Sequence, residues 1–206
     1  MVSECSLRYA GRMSLPRTSR ASPLPVDDRR SMIVDAVIPL LLEYGRDVTT
    51  KQIAERAGIA EGTLFRAFGD KESIITASVE KFLDPEPLSL MLRGIDPDAP
   101  IERQVHDIIF HLRSRFEGIF GIMSAVGMHG RPPGFDAHAE LSDLVIEMLS
   151  EHSGKLRIHP NRAASLIRLL AFATSIPPFT GSAPFTTDEL TDVVLNGILA
   201  SDQGLH

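Results

Sequence analysis

The chain has 206 residues, 43% of them hydrophobic, and a formal net charge of −6, enough apolar material for one large packed domain or two small ones. Its single cysteine, Cys5, excludes an internal disulfide and fits a reducing compartment. The absence of any run of about 18 apolar residues, and of an apolar leader, predicts a soluble cytoplasmic protein with no membrane partner.

Residues 1–26 carry Arg8, Arg12, Arg17 and Arg20 among Pro and Ser without a hydrophobic period. This composition predicts a disordered basic arm, within which Met13 offers an alternative start. Charge is uneven along the chain. Met1 to Lys81 holds 12 Lys+Arg against 11 Asp+Glu, and the remainder 9 against 16. An acidic chain of this kind can still bind nucleic acid if one face of its N-terminal part gathers the cations.

Met32, Ile33, Ala36, Val37, Leu40, Leu41 and Tyr44 recur at helical spacing, with Asp27 and Asp28 expected to cap the start and Gly45 to end the helix. Pro39 inside it lacks a backbone donor and predicts a kink. Thr49 and Gln52 have the spacing of a capping box, which opens a helix at about Thr50 and closes at Gly58. After a Gly58-Ile59-Ala60 turn, a second short helix is expected over Glu61–Phe68, with Gly69 as its stop. Asp70 then caps a helix with apolar positions Ile74, Ile75, Ala77, Val79 and Phe82. The Asp84-Pro85-Glu86-Pro87 run marks the expected domain boundary.

The remainder also reads as helical. Ile101, Val105, Ile108, Ile109, Leu112 and Phe116 form one stripe, and Leu141, Leu144, Val145, Met148 and Leu149 another. Residues 161–176 are apolar almost all round. Leu190, Val193, Val194, Ile198 and Leu199 close the series, and no segment alternates long enough to be a strand. The fold expected is all-α.

Two helices of about two turns each cannot hold themselves up, since isolated helices below about 12–15 residues are marginal in water. Helix, Gly turn, short helix between two scaffold helices is the helix-turn-helix arrangement, whose second helix enters the major groove of double-stranded DNA. Gly62 and Thr63 near its start are small and allow close approach. Thr49, Thr50, Thr63, Arg66 and Lys71 suit phosphate oxygens, helped by the helix N-termini at Thr50 and Lys71. Lys51 is placed to reach a guanine. Glu61 has two readings, a helix-dipole partner or a carboxylate that penalises loose binding.

The stretch VTTKQIAERAGIAEGTLFRAFGDKES resembles the TetR family of tetracycline-repressor-like regulators, over about Arg29 to Phe82. Three departures stand out. Ala60 replaces the usual Ser or Thr cap, Ala67 replaces a common Tyr or His, and Phe65 replaces a common Tyr. The resemblance implies a DNA-binding domain at 27–83 and a ligand-binding and dimerisation domain at 84–206. It implies a homodimer on a palindromic operator, a small apolar effector and a repressor's action. Residues 161–200 are the expected dimer interface.

The stretch Gly118 to Gly134 holds five glycines, which predicts a bent, loosely held segment beside a cavity. The expected ligand pocket comprises Ile109, Leu112, Phe116, Phe120, Met123, Met128, Leu144, Met148 and Phe172. Phe110, off the main stripe, suggests a helix covered on two sides.

Enzyme readings find little support. His106 and His111 are five apart and do not share a helix face as a zinc pair would, and His138, Glu140 and His129 form only a weak metal constellation. No catalytic residues, metal site or cofactor are expected. The rival reading is a soluble all-α protein, small-molecule-binding or catalytic, whose helix-turn-helix no longer reads DNA.

Overall fold

The computed structural model describes residues 25–128, 138–176 and 184–198. Cys5, the basic arm before Pro25, His129 and Leu199 lie outside them, as do the side chains of His138 and Glu140. The described residues contain nine α-helices and no strand, so the all-α expectation holds. They contain no helix long and apolar enough to cross a membrane.

The first helix, α1 (Val26–Tyr44), starts from Pro25, and no side chain caps it. Asp27 and Asp28 are therefore not caps. They sit inside the first turn, where their charge faces the positive end of the helix dipole. The helix continues past the exposed Pro39 to Gly45, which has φ 57° and ends it. A 3-10 turn over Gly45–Asp47 leads to α2 (Thr50–Ala57).

Local signals fix α2, α3 (Glu61–Phe68) and α4 (Lys71–Phe82). The Gln52 amide donates to Thr49 Oγ1 at 3.2 Å, and the Thr49 amide donates to Gln52 Oε1 at 2.8 Å, a complete capping box. Gly58, at φ 66°, takes the left-handed conformation that stops α2. At the start of α4 the Ser73 amide donates to Asp70 Oδ1 at 2.7 Å, and this bond holds the Asp70 carboxyl below its ordinary pKa. Ile33, Val37, Leu41, Ile53, Leu64 and Ile74 bury one side each of α1 to α4 in a shared core.

The run read as a boundary is itself the start of a helix. Pro85 precedes α5 (Glu86–Arg93), and Pro87 falls in its first turn, where a missing amide costs nothing and a fixed φ favours helix. Leu88 and Leu92, four apart, bury its inner face.

A 25-residue helix, α6 (Ile101–Ala125), then contributes to both buried cores. Its first half packs with α5, α7 (His138–Ser150), α8 (Pro160–Thr174) and α9 (Thr187–Ile198) around Val105, Ile108, Ile109, Leu149, Ile167 and Val194. Its second half supplies Ile119, Ile122 and Met123 to the core of α1–α4. The two cores thus meet along one helix, with α1–α4 in one and α5 and the helices after α6 in the other.

The glycines of α6 explain how. Gly118 and Gly121 lie within the continuous helix instead of bending it. A Cβ at Gly118 would stand 3.1 Å from the Phe82 ring, and one at Gly121 would be 3.7 Å from Leu42. These glycines let α6 press against α4 and α1. The bent and loose segment expected from composition does not occur over 118–125; residues 129–134 are outside the described set. Phe110 is 51% exposed, so that side of α6 is uncovered.

Candidate functional site

The short helix α3 is anchored by Leu64 and Phe68. Arg30 of α1 lies over the Phe68 ring at 4.6 Å. With those two side chains inward, Glu61, Gly62, Phe65 and Arg66 face solvent, and Thr63 is half-buried beside them. Ala60 offers no side-chain cap; Glu61, in the first turn, supplies the negative charge that end of the helix favours. Phe65 is 45% exposed, a large aromatic ring partly open to solvent on that face.

Gly62 has the most informative surroundings. A Cβ built there meets nothing within 4 Å, so the fold does not demand glycine at this position. Gly58 and Gly69, by contrast, have positive φ and are needed by their turns.

The cations are held more tightly than the sequence suggests. Arg66 folds back along α3, donating from Nε to the Gly62 carbonyl at 3.1 Å and from Nη2 to Thr63 Oγ1 at 3.4 Å. Lys71 Nζ donates to the carbonyls of Arg46 at 2.7 Å and Val48 at 3.0 Å, which ties the start of α4 to the link between α1 and α2. Two of its three donors therefore serve the fold. Replacing Lys71 would loosen that link, so an affinity change alone would not report a phosphate contact. Lys51 is exposed and 4.0 Å from Glu55. Thr49 is committed to its capping box, and Thr50 is half-buried next to it.

Packing adds one residue that local spacing could not supply. Arg29 on α1 lines a groove with Thr63, Arg66 and Ala67 of α3. Its adjacency to α3 depends on how α1 crosses that helix, and no motif announces this. The face built by α2, α3 and the start of α1 can present hydroxyls, guanidiniums and one small gap to a backbone of phosphates.

The residues expected to line one pocket are distributed over several places. Leu112 and Phe116 line a cavity of about 20 Å³ between α5, α6, α7 and α8, with Leu88, Leu141, Val145 and Ala164. Arg115, Arg168 and Ser142 are its polar members. Leu144 and Met148 line a different, open cleft of about 330 Å³ with Leu92, Ile95 and Gln104, bordered by Arg93, Glu147 and Glu151. Phe116, Phe120 and Phe172 meet edge to face at 5.3–5.4 Å, and Ile109 is in the surrounding core. Met123 and Met128 pack on the other core, with α1–α4, and do not adjoin these cavities.

Arg115 also connects the small cavity to α4. Its Nη1 donates to the Phe82 carbonyl at 2.6 Å and Nη2 to the Asp84 carbonyl at 2.9 Å, with the guanidinium 5.7 Å from the Phe82 ring centre. Burial pushes this guanidinium below its ordinary pKa, opposed by the nearby Asp84 charge. The His106 ring lies between the carboxylates of Asp107, 3.0 Å from Nδ1, and Asp188, 3.2 Å from Nε2, joining α6 to α9. Among the described residues no three His, Cys, Asp or Glu side chains converge as a metal site.

A short helix opened by a capping box, a Gly turn and a second short helix, set on a scaffold helix and joined through α4 and α6 to a second helical core, form the helix-turn-helix arrangement. Residues 33–77 match the family model described as bacterial regulatory proteins, tetR family. Over these residues, about a fifth of the chain, it is similar to that family. Over 118 residues it is 30% identical to the HTH-type transcriptional repressor KstR2 of Rhodococcus jostii (strain RHA1), covering 52% of this chain and 54% of that protein. It is 32% identical over 89 residues to the HTH-type transcriptional regulator HbdR of Aromatoleum sp. (strain CIB), covering 42% and 38%. The chain spans about half the length, or less, of the curated relatives it matches. A solved TetR transcriptional regulator from Streptomyces coelicolor shares the fold, with a TM-score of 0.54 at 22% identity over 82% of this chain and 98% of that one. So does the ketosteroid transcriptional regulator KstR2 of Mycobacterium tuberculosis, with a TM-score of 0.52 at 19% identity over 84% and 96%.

Proposed function

We propose that the protein is a transcriptional regulator that binds a palindromic DNA operator as a homodimer, acts as a repressor in the cytoplasm, and is released by a small apolar effector. The observation that carries the reading is the outward face of α3. Glu61, Gly62, Phe65 and Arg66 are exposed together on a helix that is otherwise anchored by two buried side chains. The N-terminal residues of such a helix meet base edges in the major groove, while neighbouring hydroxyls and cations hold phosphates. The repressor's action follows the name of the Rhodococcus relative.

The dimer is assigned to α8 and α9, which pack against each other. Leu169 is 59% exposed and Val193 56% exposed, large apolar side chains that one protomer leaves uncovered. Ala171 is unsuitable for testing this interface because it is fully buried in the protomer's own core. An arginine there would disrupt the fold before it reported on a partner.

Release follows from the shared helix. A molecule that spreads α5–α8 displaces α6, and α6 contacts α1 and α4 through Gly118, Gly121 and Arg115. The spacing of two recognition helices in a dimer, about one DNA turn or 34–36 Å, is then altered.

Gly62→Ala tests the recognition helix directly. Because the new methyl meets empty space, the folded protein should be as stable as the parent or more so, by up to about 1 kcal/mol. Affinity for a selected operator should nevertheless fall about tenfold or more, since the methyl intrudes on the DNA. Chemical denaturation and DNA titration of the same preparation measure both quantities. Unchanged affinity would remove α3 from the interface.

A further inference from the structure

The small cavity between α5, α6, α7 and α8 combines an apolar interior with two guanidiniums. Leu112, Phe116, Leu141 and Val145 supply the walls, and Arg115 and Arg168 the cationic groups. At about 20 Å³ it has room for roughly one water, and its walls offer that water little. Any molecule of useful size must enlarge it, so the wall that yields matters.

The aliphatic walls belong to the packed core. Arg115 is different. It is half-buried and uses two donors on the carbonyls of Phe82 and Asp84, leaving three of a guanidinium's five N–H groups. Arg168, on α8, is exposed and makes no hydrogen bond or ion pair with another described residue. An anion placed between them would find donors that the fold has only partly used. Hydrogen bonds from an arginine to a carboxylate are roughly twice as strong as those between neutral partners, so an anion competes well against two backbone carbonyls. Burial, which disfavours the bare charge, increases what Arg115 gains from such a partner.

We propose that the effector is an amphipathic anion, an apolar body carrying a carboxylate or similar acidic head, and that its head group draws Arg115 away from the end of α4. This rests on the reading of the helical domain as an effector-binding domain and names the chemical class that domain takes. The apolar body enlarges the cavity against Leu112 and Phe116. The head group settles on Arg115 and Arg168. As the Phe82 and Asp84 carbonyls lose their donor, the C-terminal end of α4 is released, and α4 carries the start of that movement to the DNA-binding helices.

Calorimetric titration with decanoate, decanol and decylammonium separates head group from body. The parent protein should bind decanoate about tenfold or more tightly than either of the others, the effect of one hydrogen bond to a charged group. In Arg115→Met the preference should disappear while decanol affinity stays within about twofold. A residue that only clasps α4 would instead lower affinity for all three equally. Arg168→Met, on the exposed rim, should reduce the preference without disturbing the clasp, and serves if Arg115→Met does not fold. Hydrogen exchange over residues 79–86 should accelerate with decanoate and not with decanol. Equal affinities in the parent, no binding of any of the three at millimolar concentration, or a preference that survives both substitutions would overturn the proposal. So would exchange over 79–86 that is the same with either bound ligand. DNA binding by the ligand-free protein is measured separately: its failure would strike the regulator reading and leave these ratios to judge the anion.

Discussion

Gly45→Ala is expected to lower the stability of the protein by about 2–6 kcal/mol, a large share of what a domain of this size commonly has. Two costs act at once. At φ 57° and ψ −140° the position lies in backbone space that a residue with a Cβ rarely adopts, a strain of about 1–3 kcal/mol. The added methyl would also be driven into the Ala125 carbonyl oxygen at the end of α6, closer than real Cβ contacts come, with an overpacking cost of about 1–3 kcal/mol. Urea unfolding of the parent and the variant measures the sum. A loss below about 0.5 kcal/mol would mean that the end of α6 can leave Gly45 freely, and the mechanical link from α6 to the DNA-binding helices would lose its anchor. Gly127→Ala is the matched comparison: it too has positive φ, but nothing lies within 4 Å of a Cβ there. It should therefore show the strain without the collision.

Leu169→Arg is expected to raise the dimer dissociation constant about 30-fold or more, the consequence of losing one well-packed apolar anchor and burying two symmetric charges. Because Leu169 is 59% exposed in one protomer, the monomer's own fold should be little affected. Sedimentation at several concentrations measures dissociation, and far-ultraviolet circular dichroism checks the fold. Operator binding should weaken in the same preparation, since each half of a palindrome needs a recognition helix. A variant that remains dimeric, with an unaltered concentration dependence, would place the interface away from α8.

The N-terminal helices were the most legible part of the sequence, because their boundaries are set by local chemistry. Thr49 with Gln52, Gly58, Gly69 and Asp70 each satisfy or terminate backbone groups within a few residues, and α2, α3 and α4 begin and end where those residues require. The start of α1 differs from the sequence expectation for a related reason. Asp27 and Asp28 look like caps, but the helix already begins at Val26 after Pro25, and the same carboxylates then act on the helix dipole.

Positions that depend on a distant neighbour were less legible. Two prolines beside Asp84 suggest a break, although proline in a first turn equally begins a helix, as α5 shows. Glycines at 118 and 121 suggest flexibility when judged by propensity alone. Their meaning appears only when Phe82 and Leu42 are seen against them. Met123 and Met128 continue the apolar character of Phe116 and Phe120, yet a helix that crosses two cores sends successive turns to different partners. Its place at a helix start makes Lys71 a candidate phosphate ligand, and its second role is not local. Its engagement with Arg46 and Val48 depends on a chain reversal 23–25 residues away. Arg115 carried no motif, and its link between a cavity and α4 is visible only in three dimensions.

The central claim is that the surface around α3 reads double-stranded DNA. It is tested most directly by selecting fragments from a random DNA pool with the purified protein, then titrating the best fragment and a scrambled control at 50 and 200 mM salt. A palindromic fragment should be bound about a thousandfold more tightly than the control, with both affinities falling steeply as salt rises. Failure to enrich any sequence, with equal and salt-insensitive affinities for fragment and control, would contradict it.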